Sequence, residues 1–283
     1  MQGSNRGSAV QQLRDRKTRE INENLAVLKK ALFAEDGGDK DVTLGIAPPF
    51  LRYVRNGINV EIVFSPQLKT EQLEWAFDLT KERMESIYDL SGYGWDDEDK
   101  RGELLEPGAR FLLLFDRSKS SATWGELVGF VHFRFTVQGE LMDMMEGDTC
   151  VFVWDIQIED GFQRKGLARH LLTLLELIGT REGMKAVSVP IQNADSSSRE
   201  WIHKLKGYIP DQSIRNRLNF DPQEEGFEVF SKPLKSIHTL TSPIPARIPD
   251  ETPSPVEESL APDLSRLNLN DHDQKSGKEE FQN

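Results

Sequence analysis

The sequence is poor in cysteine and has no long apolar run. Its single cysteine, Cys150, excludes an intramolecular disulfide and fits a reducing compartment. Because a second thiol is absent, we interpret Cys150 as a small buried residue. No apolar run is long enough to span a membrane, and the N-terminus lacks the apolar core of a signal peptide. We therefore expect a soluble, intracellular protein.

Hydrophobic residues are also scarce, and acidic residues outnumber basic ones. Only 37% of the 283 residues are hydrophobic, which is low for one compact domain and indicates that part of the chain is a tail. The formal net charge is −12, which argues against a general nucleic-acid-binding protein and favours basic partners. We accordingly expect no direct nucleic-acid binding and no membrane binding.

The stretch from Val151 to Leu172 carries the clearest pattern in the chain. Its first half is rich in β-branched and aromatic residues and predicts a buried strand. Its second half, continued to Ile178, repeats leucine at three- and four-residue intervals and predicts an amphipathic helix. Between them lies the basic turn Gln163–Ala168, which contains a glycine. A glycine turn that opens a helix presents unpaired N–H groups at the positive end of the helix dipole, which suits a phosphate.

The spacing of residues in this turn distinguishes between known phosphate-binding motifs. The turn has neither the Gly-Lys-Ser/Thr ending of a P-loop nor the three glycines of a dinucleotide-binding fingerprint. It matches Gln/Arg-x-x-Gly-x-Gly/Ala, the pyrophosphate loop of the GNAT superfamily of N-acetyltransferases. The alternative is a tight strand-to-helix connection in which Gly166 only relieves backbone strain. The strand before the turn and the helix after it favour the phosphate site.

Periodicity and turn signals predict the other elements of an α/β (α+β) fold. We predict helices over residues 11–33, 69–88 and 196–207, a short helix after residues 96–99, and strands over residues 59–64, 111–115, 127–137, 185–190 and 226–231. The acidic run Asp96–Asp99 has two interpretations: a solvated helix start, or one wall of a groove for a basic peptide.

The composition divides the chain into three parts. Residues 1–40 form a predicted N-terminal helical extension, and residues 41–235 form the predicted folded domain. Six of the fourteen prolines lie after Ile237. A segment of that composition cannot bury enough apolar surface to offset its ordering entropy, so we predict that the acidic, proline-rich tail over residues 236–283 is disordered.

Separated motifs between about residues 20 and 232 resemble the N-alpha-acetyltransferase D (NatD) family of the GNAT superfamily. These motifs are Tyr53–Val60, Trp75–Thr80, Gly94-Trp95, His132–Phe135 and Gln163–Ala168. The resemblance implies the GNAT fold, with a mixed, mostly antiparallel central sheet flanked by helices. It also implies an acyltransferase that moves acetyl from acetyl-CoA to the N-terminal amine of histone H4 and histone 2A. That transfer proceeds by direct attack in a ternary complex, and no metal is implied.

The resemblance also assigns contacts to the cosubstrate acetyl-CoA. The pantetheine arm is expected to run along the central strand, with the diphosphate on the glycine turn. An asparagine at the start of the following helix usually touches the cofactor in GNAT enzymes, and Asp195 and Asn193 are nearest to that position here. The implied cofactor contacts are Ile156, Gln157, Ile158, Gln163, Arg164, Lys165, Gly166, Leu167, Ala168, Asp195 and Asn193.

The implied acceptor site departs from the family's pattern. The family carries two tyrosines and a glutamate on the central strand, where this chain has Phe152, Trp154 and Asp155. Thr136 and Gln138 stand where the family has acidic residues, and Phe227 stands where it has a tyrosine. The implied substrate contacts are Tyr88, Trp154, Asp155, Thr136, Gln138 and Phe227.

Asp155, beside Trp154, is the candidate for the catalytic carboxylate. A free α-amine has a pKa of about 7.7–8.0, so one carboxylate suffices as general base. We expect the aromatic neighbours of Asp155 to desolvate it and raise its pKa. The alternative is that Asp155 only binds the ammonium electrostatically. We expect backbone N–H groups near Ile156 and Gln157, at a bulge, to hold the thioester oxygen.

The resemblance implies acetyl-CoA and the histone H4 and histone 2A tails as partners. It also implies a monomer in the nucleus and cytoplasm. Two alternatives remain: a GNAT enzyme for lysine side chains or another amine, and a module that binds acetyl-CoA or histone without turnover. His132 and His170 are interpreted as packing or surface residues.

Overall fold

A computed structural model describes residues 4–118, 125–139, 147–218 and 220–235. The tail predicted over residues 236–283 lies outside the described residues. The helices are α1 (Ser4–Leu32), α2 (Thr70–Leu90), α3 (Asp97–Leu105), α4 (Leu167–Glu182), α5 (Ser196–His203), α6 (Gln212–Leu218) and α7 (Pro222–Glu225). The strands are β1 (Arg52–Arg55), β2 (Ile58–Ser65), β3 (Arg110–Asp116), β4 (Leu127–Val137), β5 (Thr149–Ile158), β6 (Ala186–Gln192), β7 (Ile209–Pro210) and β8 (Phe227–Pro233). No helix in these described ranges is long and apolar enough to cross a membrane.

The eight strands form a single sheet in the order β1-β2-β3-β4-β5-β6-β8-β7. Strands β5 and β6 pair in parallel, and the other neighbouring pairs are antiparallel. This arrangement confirms the predicted mixed, mostly antiparallel sheet. The predicted helices and strands are present. Helix α1 begins seven residues before its predicted start, and the other ends are shifted by a few residues. Elements β1, β7, α6 and α7 were not predicted. Strands of four and two residues are too short to show alternation, and helices of seven and four residues are too short to show the helical period.

The β1–β2 hairpin turns at Asn56 and Gly57, which have φ angles of 52° and 76°. These left-handed angles are those of the tight Asn-Gly hairpin turn, whose twist matches that of the flanking strands. Arg55 pairs with Ile58 directly across the turn. The hairpin lies at the edge of the sheet, and its contacts beyond the sheet bear on the site.

Helices cover both faces of the sheet. On one face, leucines of α4 pack with alternate residues of the central strands, and the end of α1 joins them through Leu28 and Ala31. On the other face, α2 and α3 cover β3 and β4, with Phe77 and Leu104 buried. The earlier part of α1 is different, since Leu13 is 56% exposed. The end of the predicted N-terminal extension is therefore part of the main hydrophobic core.

Candidate functional site

A gap opens in the middle of the sheet where β5 and β6 diverge. Their parallel pairing extends only from Cys150↔Ala186 to Phe152↔Ser188. Strand β5 continues to Ile158, whereas β6 continues along β8. The backbone of β5 beyond Phe152 therefore has no strand partner on this side among the described residues. An extended ligand can add to this open edge through main-chain hydrogen bonds.

A β-bulge in β5 lies beside the gap. His132 pairs with Asp155 and Phe133 pairs with Val153, so Trp154 is an extra residue opposite β4. Val153 and Ile156 pack against the α1–α4 side of the sheet. Trp154 packs with Phe152 on the opposite side, where Asp155 also makes its contacts. The bulge thus turns two consecutive side chains, those of Trp154 and Asp155, towards the same face, and it lies just before the predicted position near Ile156 and Gln157.

The gap leads into a cavity of about 890 Å³. One end is formed by the glycine turn and the starts of α4 and α5, and the other by the end of α2 and the bulge. Residues lining it include Arg83, Met84, Ile87, Tyr88, Tyr93, Glu103, Glu106, Arg134, Val153, Trp154, Asp155, Ile156, Gln157, Ile158, Phe162, Gln163, Arg164, Gly166, Leu167, Ala168, Arg169, Val189, Pro190, Ile191, Gln192, Asp195, Ser197, Ser198, Glu200, Trp201, Lys204, Glu225 and Phe227.

The glycine turn has the geometry of an anion site. Gly166 immediately precedes α4 with φ +88°, and Arg164 also has a positive φ of 55°. The first N–H groups of a helix have no intrahelical acceptor, and no described residue accepts from the N–H of Gly166, Leu167 or Ala168. The side chains of Arg164 and Arg169 line the same end of the cavity. This donor set fits a diphosphate.

Asp155 does not have the raised pKa that the sequence predicts. Its side chain is only 3% exposed, and Lys100 Nζ lies 3.0 Å from its Oδ2. Burial is the largest single effect and would raise the pKa of Asp155. The charges and hydrogen bonds of Lys100 and His132 together outweigh burial, so the pKa lies below its ordinary value. The expectation of a base activated by desolvation was therefore wrong, because it did not include a buried cation on α3.

Lys100 joins two carboxylates into one buried group. Its Nζ lies 2.8 Å from Glu103 Oε1, and its side chain is 4% exposed. Burial would lower the pKa of Lys100, but Asp155 and Glu103 outweigh burial and raise it. The same cation lowers the pKa of Glu103 against the effect of burial. Glu103 is the more accessible carboxylate, with a side chain 21% exposed.

His132 is the fourth member of this group. Its Nδ1 lies 3.5 Å from Glu103 Oε1 and 3.6 Å from Asp155 Oδ2. These distances are long for hydrogen bonds, so Lys100 is the main partner of both carboxylates. His132, Glu103 and Asp155 offer three ligand atoms within 4.8 Å of one another, as a metal site does. Lys100 Nζ contacts both carboxylates and supplies the positive charge there.

Aromatic side chains form the rest of this end of the cavity. Tyr88 contacts Tyr93 edge-to-face, and Tyr93 contacts Phe227 in the same way. Arg134 lies over the ring of Trp154, 5.0 Å from its centroid, and also pairs with Glu106. Burial raises the pKa of Tyr88, so its hydroxyl stays protonated at neutral pH.

Most of the predicted site residues line this cavity, on both sides of the bulge. The exceptions among the described residues are Lys165, Asn193, Thr136 and Gln138. Asn193 donates to Pro222 O, and Gln138 donates to Asp211. Asp195 caps α5 by accepting from Ser198 N, although it also borders the cavity. The contacts of these residues to a ligand remain predictions.

The acidic run before α3 is a solvated helix start. Asp96 accepts from the N–H groups of Glu98 and Asp99, and exposed Asp97 pairs with Lys81. None of the described residues of this run lines the cavity. Lys100 and Glu103, which were not predicted as site residues, follow in the same helix. The available signal was the four-residue spacing between Lys100 and buried Leu104.

The split sheet, the bulge and the anion-binding turn are features of the GNAT fold. The sequence model of the acetyltransferase (GNAT) family matches residues 71–208, which include all these features. The chain has the GNAT fold.

Solved structures of GNAT proteins are similar at low sequence identity. A GNAT-family acetyltransferase from Listeria monocytogenes is 14% identical, with 65% of this chain and 99% of that chain covered and a TM-score of 0.45. NAA60 from Arabidopsis thaliana, in complex with a bisubstrate analogue, is 14% identical, with 62% and 99% covered and a TM-score of 0.40. The PaiA N-acetyltransferase from Thermoplasma acidophilum, in complex with coenzyme A, is 15% identical, with 61% and 99% covered and a TM-score of 0.40.

Proposed function

We propose that this protein is an N-alpha-acetyltransferase of the NatD type, acting as a monomer on the N-terminal amines of histone H4 and histone 2A in the nucleus and cytoplasm. One observation carries the proposal: the cavity is continuous from the anion-binding turn, along the open edge of β5, to the aromatic and acidic end. The NatD-like motifs border both ends of that path, at Gln163–Ala168 and at His132–Phe135.

The charge at the aromatic and acidic end of the cavity, called the acceptor end below, favours a basic substrate. Glu103, Asp155 and Glu225 line this end, and Lys100 is the one cation paired with the first two of them within the described residues. The positive charge of Arg134 is balanced by its ion pair with Glu106. The excess of carboxylates favours an amine and the basic residues of a histone tail.

The chain's own residues suit amine acetylation without a strong base. Acetyl-CoA, when bound, supplies a thioester carbonyl open to attack by an amine. An α-amine with a pKa of about 7.7–8.0 is partly neutral at physiological pH, so little proton abstraction is required. Ionised Asp155 and Glu103 stabilise the positive charge that develops on the attacking nitrogen. The protonated hydroxyl of Tyr88 is a hydrogen-bond donor at the same end.

The test is mass spectrometry of a histone H4 N-terminal peptide after incubation with the protein and acetyl-CoA. We expect one acetyl group on the α-amine and none on a matched peptide whose N-terminus is blocked. Equal labelling of the blocked peptide would show that lysine side chains are the acceptors instead.

A second candidate function is a module that binds acetyl-CoA or histone tails without turnover. The pairing of Asp155 with Lys100 favours it, because a carboxylate with a lowered pKa is a weak base. The two functions differ in thioester consumption. Release of free CoA thiol that depends on the H4 peptide supports the enzyme, whereas peptide binding without thiol release supports the module.

A further inference from the structure

The main-chain carbonyl of Lys165 is held by a distant part of the chain. Tyr53 Oη donates to Lys165 O at 2.5 Å, and Asn56 Nδ2 donates to the same oxygen at 2.7 Å. Both donors belong to the β1–β2 hairpin, more than one hundred residues earlier in the sequence. Two donors on one carbonyl fix the plane of the peptide that joins Lys165 to Gly166.

The orientation of this peptide decides where the glycine turn presents its donors. In a trans peptide, the carbonyl oxygen and the following N–H point in opposite directions. With Lys165 O held by the hairpin, the N–H of Gly166 therefore points away from the hairpin. The positive φ of Gly166 then leads directly into α4, whose first residues line the cavity.

Three further contacts hold the hairpin, and Phe50 shortly before it, against the start of α4. A β-carbon at Gly166 would lie 2.8 Å from Tyr53 Oη, so the tyrosine packs directly on this glycine. His170, one turn into α4, lies 2.8 Å from Phe50 O through Nε2, and its ring is 5.1 Å from that of Tyr53. Tyr53 is buried, whereas Asn56 is exposed.

We infer that Tyr53 and Asn56 are positioning residues for coenzyme A, acting through the Lys165 carbonyl to orient the diphosphate-binding N–H groups. This inference rests on the assignment of the turn as the diphosphate site. Without the two donors, the turn samples other peptide orientations, and the observed affinity falls in proportion to the population that remains competent. Each hydrogen bond is expected to contribute about 2- to 10-fold to affinity, with the larger share from buried Tyr53.

The test is calorimetric titration of the full chain and its variants with coenzyme A. Tyr53→Phe removes only the hydroxyl, and Asn56→Gly removes the donor while keeping a residue that tolerates the left-handed φ. We expect about 3- to 10-fold weaker binding for Tyr53→Phe, about 2- to 3-fold for Asn56→Gly, and about 10-fold or more for the double variant. In turnover assays, KM for acetyl-CoA should rise while kcat at saturation stays within about twofold.

Asn59→Ala is the matched control. Asn59 lies in the same hairpin, and its side chain accepts from Arg52 and donates to Arg117 O, but it has no hydrogen bond to the glycine turn among the described residues. We expect its coenzyme A affinity to match that of the unaltered protein. The inference is overturned if Tyr53→Phe and Asn56→Gly bind coenzyme A normally, or if Asn59→Ala weakens binding equally. Because the titration needs no acceptor, the coenzyme A affinities of the variants test this inference even if the H4 peptide is not a substrate.

Discussion

Replacing Lys100 with methionine tests the charge balance at the acceptor end of the cavity. Methionine keeps much of the length of the side chain but removes the cation that contacts Asp155 and Glu103. Breaking a buried ion pair from one side leaves an uncompensated charge and typically costs about 3–5 kcal/mol. We expect Lys100→Met to lower the free energy of unfolding by an amount in this range at neutral pH, because the side chain of Lys100 is 4% exposed and that of Asp155 is 3% exposed.

The same variant should reverse the pH dependence of stability. In the unaltered protein the pKa of Asp155 lies below its ordinary value of 3.8, so its contribution is present above that value and lost as the pH falls. Without Lys100, we expect burial to outweigh the remaining effect of His132, so that the folded-state pKa of Asp155 rises above the unfolded one. Stability is then greatest in acid and is lost as the pH rises from the unfolded value through the new folded value.

Guanidinium unfolding at about pH 5 and about pH 8 measures both effects. Lys100→Met should unfold more easily than the unaltered protein, and the difference should be larger at the higher pH. Lys204→Met is the control, because Lys204 pairs with Glu200 on the surface with both side chains at least 70% exposed. It should show no measurable change. Equal stability of Lys100→Met and the unaltered protein, or a difference that shrinks as the pH rises, would refute the reasoning.

Three further outcomes are expected. Asp155→Asn should lower kcat/KM for the acceptor by about 10- to 100-fold, which is the cost of losing a hydrogen bond to a charged group. Its coenzyme A affinity, measured by calorimetry, should be unchanged, and a large loss of that affinity would contradict the assignment of Asp155 to the acceptor site. Gly166→Glu should abolish coenzyme A binding, because its side chain would meet Tyr53 and place negative charge in the anion site; normal affinity would contradict this. Tyr88→Phe should slow turnover without changing the shape of the pH–rate profile between about pH 7 and pH 10, because the unaltered hydroxyl stays protonated there; a profile that changes shape would show that Tyr88 titrates.

The sequence predicted most of the fold because its strongest signals are local. The alternating and leucine-rich patterns around Gln163–Ala168 fix the central strand, the turn and the helix over adjacent residues. The cosubstrate side of the site depends on these same adjacent residues, and the structure brings most of them to the cavity. Local pattern and tertiary structure therefore agree there.

The acceptor side could not be predicted in the same way. Lys100 and Asp155 are 55 residues apart, and their contact depends on how α3 packs over the sheet. Lys100 also follows four acidic positions that suit a solvated helix start, so its burial contradicts the local composition. The Lys165 carbonyl is similar: its partners lie in a hairpin whose first strand has only four residues.

The bulge at Trp154 separates two regularly alternating segments of β5. On either side of it the strand alternates regularly, with Val153 and Ile156 towards α4 and with Phe152 and Asp155 towards the opposite face. Excision of Trp154 alone would leave every other side chain of the strand on its present face. A chain shortened by this one residue should therefore keep its hydrophobic core and still fold, while losing the shape of its acceptor pocket.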